Sequence, residues 1–444
     1  MKQSQWYLPY LFLGLPPLAA FSGLVLKWTG LNSKPPVECN ENVVLGGASL
    51  LDSLLHSDAQ LTSIVNQAAT HELQIIFTQI NRDEKNQPHF IQHDFRLDAH
   101  QYFDPASLVK LPTAILALEK VNTLRSLGTT RNTAMATGVA YRCQTPVPYI
   151  ATSDSDSQNS VGNYIKRMLL VSDNNAYNRL YEFLGQRPLN ERLAYLSYPQ
   201  VRIVRRFAPC DTAANRHTNP IVFYDSSSHI LYRQPAVSNP KSFDFPLGRI
   251  TKGKAYKAGG KLIQQPYDFT TANYLPLQAI TNMLRAVIFP SAVDEASRFN
   301  LSAADYQFLR HYLQSTPHGS RFHPFYGKSY FDAYKKYLYY GRDPEANARP
   351  SLRIYNIVGM SHGYLADVAY FADSTYHTEF MLSCVLYVNH NQVINDGLYE
   401  YSSVGLPFLC RLGQVVYDYE ISRPKHHQAD LSEMFSTKST TTRN

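Results

Sequence analysis

Tryptophan is nearly missing from this chain, with 2 copies in 444 residues, and cysteine is sparse, with 5. Cys39, Cys143, Cys210, Cys384 and Cys410 include no Cys-x-x-Cys pair, which removes zinc knuckles and redox dithiols from consideration. No two histidines stand at metal-ligand spacing, and His71-Glu72 lacks the second histidine that a zinc-protease helix requires. No metal and no cofactor are expected. Long runs of one charge are also missing. The formal net charge is +7, but Lys and Arg are scattered, and the densest group, Lys252, Lys254, Lys257 and Lys261, reads as a solvated loop. A nucleic-acid binder would gather its excess on one face between aromatics, so nucleic acid is not an expected partner. There is no internal repeat.

What is present begins at the N-terminus. Lys2 precedes an apolar run from Trp6 to Leu26, closed by Lys27. Pro9, Pro16 and Pro17 interrupt it, and Ala20-Phe21-Ser22 offers a small-x-small cleavage site. Residues 1–27 therefore read as a signal peptide or an uncleaved membrane anchor, and the body as exported, periplasmic or envelope-associated. An oxidising compartment would permit a disulfide, although its partners stay open. Cys384 and Cys410 lie in apolar segments and read as buried small hydrophobes.

A helical region is expected over residues 50–70, from Leu50, Leu51, Leu54, Leu55, Leu61, Ile64, Val65 and Ala68. Strands over 73–79 and 89–97 follow, joined by a polar turn. Asp104-Pro105 marks a helix start, since Asp favours the N-cap and Pro the first helical position. That helix runs through Leu111, Ile115, Leu118 and Val121. Another helical region spans 161–185 and stops at Gly185. Residues 200–350 show little periodicity apart from helical stretches at 277–288 and 303–314. Strands over 353–358, 365–371 and 379–389 come next, then a helix over 405–417. The order predicts an α+β fold, an α/β/α sandwich whose antiparallel sheet is built from both chain ends. The domain is placed at 45–420, with an insertion at about 225–350 and a disordered polar tail at 421–444.

The leading chemical feature is Ser107-Leu108-Val109-Lys110. Three residues apart on a helix, the hydroxyl and the amine share a face. Unpaired N–H groups of the first turn favour an adjacent oxyanion, and a buried lysine loses affinity for its proton and can act as base. The tetrapeptide alone is weak evidence: Ser238-Asn239-Pro240-Lys241 repeats it by chance, with Pro inside. Ser172-Asp173-Asn174 is the second feature, and a helix cap is its plain alternative. Gly248 to Lys254 imitates a phosphate loop, but Ala255 stands where Ser or Thr is required.

Taken together, Phe103 to Ala114, the Ser172-Asp173-Asn174 segment and their order resemble class A β-lactamases and the wider β-lactamase and penicillin-binding superfamily. The resemblance covers roughly residues 55–215 and 350–420. It implies an all-helical subdomain beside the sheet, Ser107 as the acylated serine and Lys110 as base or proton relay. It further implies Ser172 as proton shuttle and Asn174 as a substrate contact. Two places depart from the pattern. Ser361-His362-Gly363 falls where the family has Lys-Thr-Gly, so the charge that attracts a substrate carboxylate is missing unless His362 is protonated; the Tyr364 N–H is left as second oxyanion donor. Asp211, followed by Asn215, takes the place of the glutamate that activates water, one methylene short; the alternative is an Asp at a loop turn. The implied activity is a serine hydrolase forming an acyl-enzyme on Ser107 and opening β-lactams or related amides. The alternatives are a D,D-peptidase acting on cell-wall peptides and a catalytically weak envelope-binding protein. The expected partner is a small β-lactam or peptide, and a monomer is expected, with a possible membrane tether through the N-terminus.

Overall fold

A computed structural model describes residues 49–152, 154–320 and 329–436. The expected leader at 1–27 and Cys39 lie outside the described residues. Among the described residues no helix is long and apolar enough to cross a membrane.

The first helical region is two helices, α1 (Ser49–His56) and α2 (Ala59–Val65). The break falls at Asp58, whose carboxylate accepts from the Gln60 and Leu61 N–H groups and so starts a new helix. Strands β1 (Gln74–Arg82) and β2 (Pro88–Phe95) form the expected hairpin. Helix α3 (Lys110–Thr123) is apolar on every side, with Ala114, Ile115, Leu116, Ala117 and Leu118 all buried, which makes it a central helix. Next come β3 (Ala134–Thr137), α4 (Val161–Val171), α5 (Asn174–Leu184) and α6 (Gln186–Tyr195). The single helix expected over 161–185 is thus two, divided at Ser172-Asp173.

The middle of the chain supplies β4 (Ile221–Tyr224) and β5 (Ile230–Gln234), then four short strands: β6 (Thr251–Lys252), β7 (Ala255–Ala258), β8 (Lys261–Ile263) and β9 (Tyr267–Asp268). Helices α7 (Leu277–Ile288) and α8 (Ala303–Gln314) fall where periodicity places them. Both pack into the main core, so only part of the expected insertion stands outside it.

Long strands β10 (Leu352–Ser361), β11 (Tyr364–Asp373) and β12 (Thr378–Tyr387) complete a five-stranded sheet in the order β10-β11-β12-β1-β2, antiparallel throughout. Strand β13 (Val393–Ile394) pairs with β7, and α9 (Leu406–Ser422) ends the main body. Side chains alternate between two cores. Ile75, Phe77, Leu365, Ala369, Phe371 and Leu382 face α1, α2 and α9, while Ile76, Ile80, Ala366, Val368 and Tyr370 face α3, α7 and α8. Helices cover both faces, so β11 and β12 are buried at every position and are largely apolar, with Asp367, Asp373 and Glu379 as buried exceptions.

The tail departs from expectation. Residues 423–436 pack back on the sheet: Leu431 and Met434 are buried, and the Met434 carbonyl accepts from the Tyr355 hydroxyl at 2.8 Å. Its polar composition concealed three apolar anchors, Ala429, Leu431 and Met434, which suffice to dock it.

Candidate active site

Asp104 caps the turn that carries Ser107, its Oδ1 accepting from the Ala106 N–H at 3.1 Å. The turn itself is a tight 3-10 turn, Ala106–Val109, rather than the start of the α-helix. Ala106 holds φ at 45°, a region costly for a residue with a side chain, directly before the nucleophile position. Lys110 then opens α3 and is fully buried.

Lys110 Nζ lies 2.9 Å from Ser107 Oγ, 2.9 Å from Ser172 Oγ and 2.7 Å from Asn174 Oδ1, and it also donates to the Ser172 carbonyl. Ser172 ends α4 in the left-handed conformation, φ 60°, while Asp173 caps α5 through the Ala176 N–H. Both readings of the Ser172-Asp173-Asn174 segment are therefore realised, by different residues: Asp173 is the cap, and Ser172 and Asn174 turn inward to Lys110. The Phe207 ring lies 4.8 Å from Nζ. Burial drives the Lys110 pKa well below the usual lysine range, with the positive charge of Lys335 acting in the same direction.

The proton count is informative. A neutral amine has two N–H donors and one lone pair. The Ser172 carbonyl and the Asn174 amide oxygen can only accept, so they occupy the two donors and leave the lone pair for a serine hydroxyl. A neutral Nζ can thus serve as base to a serine hydroxyl, and it is burial rather than the number of partners that favours the neutral form.

Lys335, with no motif to announce it, is buried and donates to the Leu169 carbonyl in the last turn of α4. Burial pushes its pKa down to about 7. Lys336 beside it donates to the Ile354 carbonyl at 2.6 Å and to Asn356 Oδ1 at 2.7 Å, while Asn356 Nδ2 bridges to the Lys335 carbonyl and Asp367. This network fixes residues 335–338 between sheet and helices. Phe207 and Lys335 were missed from sequence because neither lies in a spaced pattern.

Asp211 is not brought to this cluster. It pairs with the exposed Arg142 at 2.7 Å and caps a 3-10 turn through the Ala214 N–H, beside the disulfide Cys143–Cys210. Asn215 is buried elsewhere, its Oδ1 accepting from the Arg206 N–H. The loop-turn alternative describes Asp211, and Asn215 fastens the same loop. The two remaining described cysteines are unpaired, Cys384 fully buried and Cys410 partly.

Ser361, His362, Gly363 and Tyr364 also fall differently from expectation. His362 (φ 52°) and Gly363 (φ 90°) are the two central residues of the hairpin turn joining β10 to β11, both left-handed as a type I′ turn demands. In such turns the N–H of the fourth residue closes onto the carbonyl of the first, which occupies Tyr364. The Tyr364 side chain is buried and donates to Glu72 at 2.7 Å. The residue of β10 that abuts the Ser107 turn is Gly359: a Cβ there would lie 2.8 Å from the Pro105 carbonyl oxygen. Strand β10 is the outermost of the sheet, and Gly359 is where it packs on the turn that carries Ser107.

His362 Nδ1 lies 2.5 Å from Asp104 Oδ2 and 2.7 Å from Ser361 Oγ. Burial acts to raise the Asp104 pKa, but the hydrogen bond and electrostatic pull of His362, with the Ala106 N–H and Ser361, together hold the carboxyl below its usual range. Tyr267 of β9 stacks on the imidazole, and Phe269 meets it edge-on. Beyond Tyr267 opens a polar cavity of about 580 Å³, lined by Arg249, Thr251, Tyr256, Gln265, Pro266 and Asp268. Among the described residues no cluster of His, Cys, Asp and Glu could hold a metal ion.

Residues 57–233 match the model of the β-lactamase enzyme family, a stretch that includes Ser107, Lys110, Ser172 and Asn174. Similar solved structures include a β-lactamase from Sphaerobacter thermophilus, 10% identical, covering 84% of this chain and 97% of that one, with a TM-score of 0.44. A β-lactamase from Xanthomonas campestris is 13% identical, covering 84% and 99%, with a TM-score of 0.45. An ancestral class A β-lactamase is 14% identical, covering 82% and 99%, with a TM-score of 0.44. No curated protein matches the chain by sequence. The relation to β-lactamases rests on the family match.

Proposed function

We propose that this chain, related to the β-lactamase enzyme family over residues 57–233, is a serine hydrolase that forms an acyl-enzyme on Ser107. The observation that carries the reading is the fully buried Lys110 amine in contact with both Ser107 Oγ and Ser172 Oγ. Neutral Nζ takes the Ser107 proton as Oγ attacks a strained or activated amide carbonyl. The developing oxyanion is met by the Ser107 N–H and an N–H of β10 beside Gly359. Ser172 Oγ, also on Nζ, passes the proton to the departing nitrogen, and the C–N bond breaks. Asn174 keeps the amine oriented and lies at the cleft for a substrate amide.

The substrate class is β-lactams or the related amides of cell-wall peptides. The hairpin turn carries no lysine, and His362 is matched with an anionic Asp104, so carboxylate attraction of the usual kind is weak here. That favours peptide-like amides beside β-lactams. The Cys143–Cys210 disulfide supports an exported location, where such bonds persist.

Intact-mass analysis of the full chain after incubation with a penicillin tests the reading. A gain of one antibiotic mass, lost in Ser107→Ala, is expected. No adduct with penicillins, cephalosporins or activated peptide esters would remove it.

A further inference from the structure

An acyl-enzyme must also be hydrolysed, and Asp211, tied to Arg142 away from the Lys110 cluster, is not placed to activate the water. We propose that the Asp104–His362 pair supplies that base, with His362 Nε2 accepting the proton of the attacking water. The proposal rests on the acyl-serine reading and extends it to the second half-reaction.

The hydrogen bonds fix the tautomer. Asp104 Oδ1 accepts from the Ala106 N–H and Oδ2 faces His362 Nδ1, with Ser361 Oγ 2.7 Å from that same nitrogen. A carboxylate only accepts, so the Nδ1 proton points to Asp104, and the lone pair of the neutral ring resides on Nε2. Nε2 has no hydrogen-bond partner among the described residues, while the side chain is 24% exposed. Water reaches it.

Placement follows from the chain. Asp104 stands three residues before Ser107 and caps the same turn, and β10 packs on that turn at Gly359. His362, at the tip of the β10–β11 hairpin, is drawn to the rim of this turn by Asp104. The ring packs against Tyr267 and Phe269, which also contact each other, both from the middle segment of the chain. That segment is itself fastened down, Lys252 pairing with Glu72 at 2.7 Å and β7 with β13. The segment therefore acts as the support that holds the base.

The step balances. Water oxygen attacks the ester carbonyl carbon of acyl-Ser107 as one of its protons passes to Nε2, giving a tetrahedral oxyanion. Collapse breaks the bond from carbon to Ser107 Oγ, which takes the proton back from the imidazolium. The free acid leaves and ionises into solvent. Asp104 stays ionised throughout and stabilises the imidazolium.

The test is the lifetime of the penicillin adduct by intact mass in the full chain, compared among the native protein, His362→Ala and Asp104→Asn. Both variants should still take up the label at Ser107, while the adduct persists about a hundredfold longer or more, the usual contribution of a general base. Added imidazole should shorten it again in His362→Ala and leave Asp104→Asn unchanged, a rescue that a purely structural role would not give. Clearance in both variants as fast as in the native protein overturns the proposal, as does a native adduct that never clears. A native protein that takes up no label fails differently: it removes the acyl-serine reading itself.

Discussion

Ser172 presents both its carbonyl oxygen and its hydroxyl to Lys110, and it can do so because it closes α4 in a left-handed conformation. A residue continuing the helix would send its carbonyl along the axis. Ser172→Ala should keep the backbone contact and lose only the hydroxyl. Acylation by a penicillin should then fall by about 10²- to 10⁴-fold with the fold intact, the range for loss of one proton-transfer group. Stopped-flow acylation together with circular dichroism checks this; an unchanged rate would assign the proton relay elsewhere.

Lys110 sets the pH dependence of the first step. Its pKa is lowered by burial and by Lys335, so the neutral amine persists to a pH well below the ordinary lysine range. Acylation requires that neutral form and should fall as pH drops through the depressed value. Lys335→Met removes the second positive charge, so the Lys110 pKa rises and the falling limb moves to higher pH. Acylation rates across pH in the two proteins decide it. A limb that stays in place would mean that Lys335 serves packing alone.

Much of this arrangement was legible in the sequence, and the reasons differ by residue. Ser107, Lys110, Ser172 and Asn174 lie within short local motifs, so helix geometry and capping alone bring them near their final positions. The five long strands and α7 to α9 carried clear periodicity or apolar runs. Asp211 misled because a carboxylate-to-Asn interval says nothing about which way a loop faces, and Arg142 together with the disulfide turned it outward. The offset at Ser361 to Gly363 has a similar source: a two-residue turn needs left-handed residues, and His-Gly met that need while Gly359 met the Ser107 turn. Lys335, Phe207 and the partnership of Asp104 with His362 depend on contacts between segments far apart in the chain. No local pattern encodes them.

Asp211→Asn follows directly from that correction. Its partners are the exposed Arg142 and a turn N–H, and neither reaches Lys110. The variant should acylate and release its adduct at native rates with little change in stability, as for an exposed pair. An adduct lifetime prolonged tenfold or more would restore Asp211 as the water activator and count against His362.

The disulfide Cys143–Cys210 closes a loop of 67 residues around the Ser172 segment. Loop-closure entropy over that length gives roughly 4 kcal/mol, with measured cases commonly about 2–4 kcal/mol. Cys143→Ser should lower the stability measured by urea unfolding by that amount. The acylation rate of the folded fraction should be preserved, because neither sulfur touches the Lys110 cluster.

Asn356 ties three buried groups together outside the Lys110 cluster. One amide oxygen takes the Lys336 proton at 2.7 Å, and one amide nitrogen serves the Lys335 carbonyl at 2.6 Å and Asp367 at 2.9 Å, all fully buried. Burial raises the Asp367 pKa and lowers that of Lys336, so neither tolerates losing a partner. Asn356→Ala takes one partner each from Lys336, the Lys335 carbonyl and Asp367, although Lys336 and Asp367 keep backbone partners, and should cost about 1–3 kcal/mol in denaturant unfolding. Because the same amide holds the segment carrying Lys335, the acylation limb should also shift to higher pH, as in Lys335→Met. Lost stability with an unmoved limb would separate the two roles, leaving the network as a clamp between sheet and helices with no electrical link to Lys110.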